Sequence, residues 1–212
     1  MSGIITIPDY GAGKYDALYR ATRGFLWNDR PGSYVAEFLA DHSGAEIVDL
    51  GCGDGKNAAW LAGLDNRVVG IDISAIALAQ ARARFSGSLA RGRLNLIRAD
   101  VGMPCVRSRF DAVVVYGLFQ CLTDASLWRM IQWLRRHVRL DGLVVGAVLT
   151  DGVSVSVAHR TGELFLRAAN WYESVLFGDW NVVKCEAGLI GEAHPPLVPH
   201  HEHEVLRFVL SG

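Results

Sequence analysis

Apolar positions early in the chain fall at helical spacing, and from residue 46 onward they gather into short runs separated by helical stretches. Tyr15, Leu18 and Tyr19 share one face of a helix spanning Asp9 to Thr22. Phe25-Leu26-Trp27 then meets a breaker cluster, Asn28-Asp29-Arg30-Pro31-Gly32. A second helix starts at Ser33, carries Tyr34, Val35, Phe38 and Leu39 toward a core, and ends at Asp41-His42-Ser43-Gly44. The first apolar run ends at Asp49, and its helix reaches about Leu64. Arg67 to Asp72 is the second run, followed by a helix that Ser74 caps and that closes near Gly87. Leu94 to Asp100 is the third. Phe110 to Tyr116 is the fourth, almost wholly apolar, as a strand buried on both faces should be. A helix over Leu127 to Val138 leads to a fifth strand, Leu143 to Leu149, introduced by the turn Asp141-Gly142.

Beyond Asp151 the rhythm changes. Gly162 to Phe177 reads as one or two helices, Trp180 to Ala187 as a sixth strand, and His203 to Leu210 as a seventh with strong alternation. The Pro-containing connection between these two is too brief for a parallel crossover, so the last strand should run antiparallel. The pattern predicts an α/β fold: a Rossmann-like, seven-stranded, mostly parallel sheet with an antiparallel last strand, helices on both faces and an N-terminal helical cap. One domain is expected over residues 1–212, with the cap at 1–43 and the core at 44–212.

Composition narrows the function. Half of the 212 residues are hydrophobic, a fifth are charged, and the formal net charge is −1. That balance gives no general reason to expect nucleic acid or an anionic membrane as a partner. Four cysteines (Cys52, Cys105, Cys121, Cys185) form no Cys-x-x-Cys pair, so reduced thiols in a cytoplasmic protein are expected. The N-terminus lacks the blocks of a signal peptide, and no apolar run reaches the roughly 18 residues of a membrane span. A homodimer is left open.

The chemistry concentrates at Asp49-Leu50-Gly51-Cys52-Gly53-Asp54-Gly55-Lys56, where a strand feeds a helix through spaced glycines. Such a turn lets backbone N–H groups approach a ligand that any Cβ would exclude. A dinucleotide fingerprint needs a small residue at the last position of G-x-G-x-x-G, and counting from Gly51 that position is Lys56. In an open parallel sheet ligands bind beyond the carboxyl ends of the strands. Asp49, Asp72, Asp100 and Tyr116 each end a predicted strand and therefore share one rim. Each Asp alone reads more readily as a cap of a helix or turn, and the three in register reverse that preference. Three in register would repel one another unless hydroxyls, an exocyclic amine or a sulfonium cation met them.

Asp-x-Gly-x-Gly-x-Gly behind a first strand resembles motif I of the class I S-adenosylmethionine-dependent methyltransferases. The resemblance implies that Gly51, Cys52 and Gly53 pass under the methionine part of S-adenosylmethionine, with Asp49 ordering the turn. It implies that Asp72, followed by Ile73, accepts the ribose hydroxyls, and that Asp100 and Val101 read the adenine edge. Tyr116 is either a core aromatic or a wall near the sulfonium. Where amino-methylating enzymes of nucleic acid carry Asn/Asp-Pro-Pro-aromatic, this chain has Tyr116-Gly117-Leu118-Phe119. That favours a small-molecule acceptor over a base.

Gly191 to Glu204 holds four of the seven histidines. Its Gly-Glu-x-His, with a basic residue opening the last strand, resembles the tellurite-resistance-like group of small-molecule methyltransferases. There the matching residues line the acceptor side, which implies catalytic roles for His194 and His203. His203 stands where that group has arginine, and the loop length differs. Three readings stay open for the stretch: a solvated hairpin, a base or anion holder, or a metal site built from Glu192, His194, His201 and His203. The reading adopted assigns no metal and puts His201, Tyr19 and Trp27 on the substrate side. Rival readings of the whole are a protein that binds the cofactor without turnover, and another group transfer such as aminopropyl transfer.

Overall fold

The computed structural model describes residues 12–22, 24–26, 28–102, 106–153, 164–178, 180–194 and 198–212, with the side chains of 192–201 outside the description. Trp27, Cys105, His159, Arg160 and the loop side chains of Glu192, His194 and His201 therefore lie outside the described residues. In chain order the elements are α1 (Ala12–Ala21), α2 (Ser33–Leu39), β1 (Glu46–Leu50), α3 (Lys56–Gly63), β2 (Arg67–Asp72), α4 (Ala75–Arg84), α5 (Ser86–Ala90) and β3 (Leu94–Arg98). Then follow β4 (Phe110–Tyr116), a 3₁₀ turn at Phe119–Cys121, α6 (Asp124–His137), β5 (Val138–Leu149), α7 (Ala169–Leu176), β6 (Asn181–His194) and β7 (Val198–Ser211).

The seven strands form one sheet in the order β3-β2-β1-β4-β5-β7-β6. β1 to β5 pair in parallel, while β7 runs antiparallel to both β5 and β6. The order reverses beside β1, so the loops after β1 and β4 open outward from the same crevice. Successive strand residues point to opposite faces, and the core divides accordingly. Val48, Leu50, Val113 and Val115 pack with Leu127, Met130 and Tyr172 of α6 and α7. Ile47, Val68, Ala112 and Val114 pack with Val35, Leu39, Ala58 and Leu78 of α2, α3 and α4. The fold class expected from the pattern is the one found.

Several boundaries differ, each for a local reason. α6 begins at Asp124 because Thr123 caps it, its Oγ1 accepting from Ser126 N–H at 3.3 Å. Gly87 does not close the helical segment after β2, since α5 runs across it. β5 starts at Val138, with its register to β4 broken around Asp141, which sits at φ 63°. α7 is shorter than expected, beginning at Ala169.

The largest correction concerns the histidine stretch, which is mostly strand rather than loop. β6 continues to His194, paired with Val198, and Glu192 pairs with His201. Histidine, glycine and proline read as a loop because they bury little, but a two-stranded ribbon needs only backbone partners. β5 ends at Leu149 opposite Val205, so β7 before that point has a partner on one side only. Pro199 is tolerated on such a half-free strand. β6 runs parallel to β5, because each is antiparallel to β7, and the hairpin therefore projects beyond the carboxyl rim.

Candidate active site

Three glycines shape the turn after β1. Gly51, Gly53 and Gly55 have φ of 70°, 54° and 87°, a region that side chains adopt only with strain. The N–H groups of Gly51 and Cys52 both donate to the Ile71 carbonyl, at 2.8 and 3.0 Å, which seats the turn over the end of β2. Cys52 tucks its sulfur toward Gly70, where a Cβ would lie 2.9 Å from it. The Cys52 thiol is buried, and burial next to Asp72 and Asp49 pushes it well above its ordinary range, so it is not a nucleophile at neutral pH.

Two carboxylates lie against this turn. Asp49 is 1% exposed, and its Oδ2 has no hydrogen-bond partner. Burial first, and the Asp72 charge second, push it up to about 7. Asp72 is buried too, and burial raises it as well. It accepts N–H bonds from Gly53 at 2.7 Å and from Ser74 at 2.8 Å, one on each oxygen. The Ile73 N–H also favours its charge, and since a carboxylate offers about four acceptor positions, Asp72 still has room for a ligand hydroxyl. Asp100 is half-buried, with Oδ1 held by Gly102 N–H at 2.8 Å, and Val101 beside it is buried. Ile73 is half-buried, its carbonyl taking a bond from Arg98 at 3.2 Å.

The rim thus brings Asp49, Gly51, Cys52, Gly53 and Asp72 together. Tyr116 ends β4 beside α2. Its ring packs on Gly32, where a Cβ would meet it at 2.5 Å, and its hydroxyl lies 3.3 Å from Ser33 Oγ. It joins β4 to the start of α2.

Tyr19 comes from α1 and is 6% exposed. Its hydroxyl rests against Gly53 so closely that any Cβ there would collide with it. Burial, then the charges of Asp72 and Asp54, raise Tyr19 well above its ordinary range, which keeps the hydroxyl neutral and able to donate. Tyr15 is raised chiefly by burial and by neighbouring Cys121, with Asp72 adding a smaller push. The side chains of α1 therefore face the carboxylate rim.

His203 is 2% exposed, opposite Ile190 on β6. It lies on the face of β7 that carries Val209 toward α2. Thr150, just past β5, donates its backbone N–H to the Glu204 carbonyl at 3.0 Å and its hydroxyl to the Glu204 carboxylate. Among the described residues no group of three or more His, Cys, Asp or Glu could hold a metal. Cys52, Cys121 and Cys185 are free thiols.

Four polar residues that the motif reading passed over lie around the site. Asp54, inside the turn, accepts Leu26 N–H at 3.0 Å and Arg84 Nη1 at 3.1 Å. Asn57 accepts Gly32 N–H at 2.9 Å. Asp16 takes the Ser74 hydroxyl at 2.6 Å. Gln120 is 5% exposed just after β4. Asp54 and Asn57 could have been singled out by their place in the glycine motif. Asp16 offers no such signal, since its partner is 58 residues away.

Comparison with known proteins agrees with this geometry. Residues 47–142 match the family model described as a methyltransferase domain. An O-methyltransferase of Pyrenophora dematioidea is 31% identical over 152 residues, covering 70% of this chain and 53% of that protein. A ribosomal RNA small subunit methyltransferase C from a Marinomonas species is 31% identical over 109 residues, covering 50% of this chain and 31% of that protein. The chain thus spans about half or less of the length of these curated relatives. The crystal structure of TehB from Haemophilus influenzae superposes with a TM-score of 0.72 at 17% identity, covering 96% of this chain and 66% of that one. Fold and glycine-turn rim define the class I methyltransferase architecture. That match takes in Asp49, the glycine turn, Asp72 and Asp100.

Proposed function

We propose that this chain transfers the methyl group of S-adenosylmethionine to a small-molecule acceptor. The observation that carries the reading is the Asp49 oxygen: buried, unpartnered, under a left-handed glycine turn and beside a second buried carboxylate. Two buried carboxylates side by side cost stability unless a cation or hydrogen-bond donors meet them. A cofactor carrying an ammonium, a sulfonium and two ribose hydroxyls answers that need. When bound, the cofactor supplies a methyl group already activated for in-line displacement.

The chain's task is then orientation, exclusion of water and management of one proton. Asp72 accepts the ribose hydroxyls with the acceptor capacity its backbone donors leave free, and Ile73 flanks that side. Asp100 and Val101 hold the adenine edge. Gly51, Cys52 and Gly53 present bare backbone to the methionine part, with Asp49 below them. Tyr116 closes the wall toward α2. Tyr19, Trp27 and His201 face the acceptor, and His203 or His194 takes its proton or holds its anion, since neutral imidazole suits either role near neutral pH. On this reading the whole of residues 1–212 acts as one domain in the cytoplasm.

The test is incubation with methyl-labelled S-adenosylmethionine and panels of thiols, phenols, amines and soft oxyanions. Labelled product from at least one panel is expected. His194→Ala should abolish turnover while leaving cofactor affinity nearly intact. Normal turnover in that variant would return the hairpin to a solvated ribbon.

A further inference from the structure

α1 lies over the rim, yet little holds it there. Of its ten residues only Ala12 and Tyr19 are buried. A helix this short is marginal in water without packing, so its docking depends on specific contacts. Most of those contacts converge on α4, and one more ties Tyr15 to Cys121 in the 3₁₀ turn after β4. Asp16 Oδ1 accepts the Ser74 hydroxyl at 2.6 Å and the Ile76 N–H at 3.2 Å, both at the first turn of α4. Gln80, one turn further along, donates to the Tyr19 carbonyl at 2.8 Å. The Ser74 hydroxyl bond holds the Asp16 carboxyl below its usual range, so the carboxylate stays charged at neutral pH. Beneath α1 lie Gly53, Cys52 and Asp72, all buried, with the Tyr19 hydroxyl seated on Gly53. Just past α1, Gly24 has φ 90° and open space around its α-carbon, which suits a pivot.

We propose that α1 is a gate over the cofactor site, latched to α4 by Asp16, and that release of this latch sets the rate of cofactor exchange. The inference rests on the cofactor reading above. A ligand reaching the Asp72 carboxylate must pass where α1 sits, and a product leaving it must do the same. The latch is polar and partly exposed, so it opens at a cost water can meet. Tyr19 rides on the gate and leaves Gly53 when α1 lifts.

Stopped-flow tryptophan fluorescence with S-adenosylhomocysteine tests this on the full chain. Asp16→Ala should speed both association and dissociation by roughly tenfold, the scale of one lost hydrogen bond to a charged group, and leave Kd nearly unchanged. Gln80→Ala should act in the same direction more weakly. Asp16→Asn, whose amide oxygen can still accept from Ser74, should stay close to wild type. Hydrogen exchange should be faster at the α1 amides of Asp16→Ala without ligand. Unchanged rates in Asp16→Ala would overturn the gate while leaving the cofactor reading intact. Slower association with faster dissociation would overturn it too, because that marks a damaged site. Failure of the wild type to bind S-adenosylhomocysteine would overturn the cofactor reading and the gate together.

Discussion

Replacing Asp49 by Asn isolates the electrostatic cost of the site. In the folded protein the carboxyl titrates at about 7, against an ordinary 3.8, because burial and Asp72 disfavour its charge. A group held above its unfolded value favours the fold fully below the unfolded pKa, and that contribution is lost as pH rises through the folded one. The window is therefore about pH 4 to 7. At 1.36 kcal/mol per unit, the gap corresponds to about 4 kcal/mol in total, of which about 3 kcal/mol falls between pH 5 and pH 8.5. Asn is nearly isosteric and keeps an acceptor for the Ala58 N–H, the backbone bond that favours the Asp49 charge. Its NH₂ takes the place of the orphan oxygen at a cost of about 1–3 kcal/mol that does not depend on pH. Urea unfolding of both proteins at pH 5 and pH 8.5 gives the difference of differences, which cancels every other titrating group except those coupled to Asp49, chiefly Asp72. The wild type should lose about 3 kcal/mol more than Asp49→Asn over that interval. Equal pH dependence of the two proteins would show that Asp49 is solvated or paired, and the argument for a cation above the turn would fall.

Three further outcomes follow from the same geometry. Asp72→Ala removes the acceptor of the Gly53 and Ser74 N–H groups, and calorimetry should find S-adenosylhomocysteine affinity at least tenfold weaker, a loss of about 1.4 kcal/mol or more. Gly53→Ala meets both the Tyr19 hydroxyl and a φ of 54°, so thermal unfolding should show a loss of about 1–3 kcal/mol, whereas Gly63→Ala, with open space at its Cβ, should be neutral or stabilising. Arg167 is 9% exposed and donates to the carbonyls of Leu122 and Phe165, while its ion-pair partner Asp124 is open to water, so Arg167→Ala should cost about 1–3 kcal/mol in denaturant unfolding by leaving those carbonyls unmet.

What the chain displayed in advance follows from what its local pattern encodes. β1 and β4 were legible because a strand buried on both faces must be a short apolar run, and Val113, Val114 and Val115 satisfy that whichever way they point. Asp49 and Asp72 were legible as a pair because each closes such a run. The histidine hairpin was not, because its strands are held by backbone pairing beyond the edge of β5, and side-chain composition carries no trace of that. Nor were the contacts that assemble the site across long separations. Asp16 reaches Ser74, Asp54 reaches Leu26 and Arg84, and Tyr19 settles on Gly53 only once the fold brings α1 over the rim. Tyr116 was legible as a strand-end aromatic, but its contacts with Gly32 and Ser33 of the α2 entry were not, because they also span a long separation.

The central claim is that the turn at Gly51 to Gly55 cradles a methionine-bearing cation and does not cradle a pyrophosphate. Parallel calorimetric titrations of the wild type with S-adenosylmethionine and with NAD⁺ test it most directly. Saturable one-to-one binding of S-adenosylmethionine with no heat of binding from NAD⁺ is the predicted result. Binding of NAD⁺ with none of S-adenosylmethionine would contradict it.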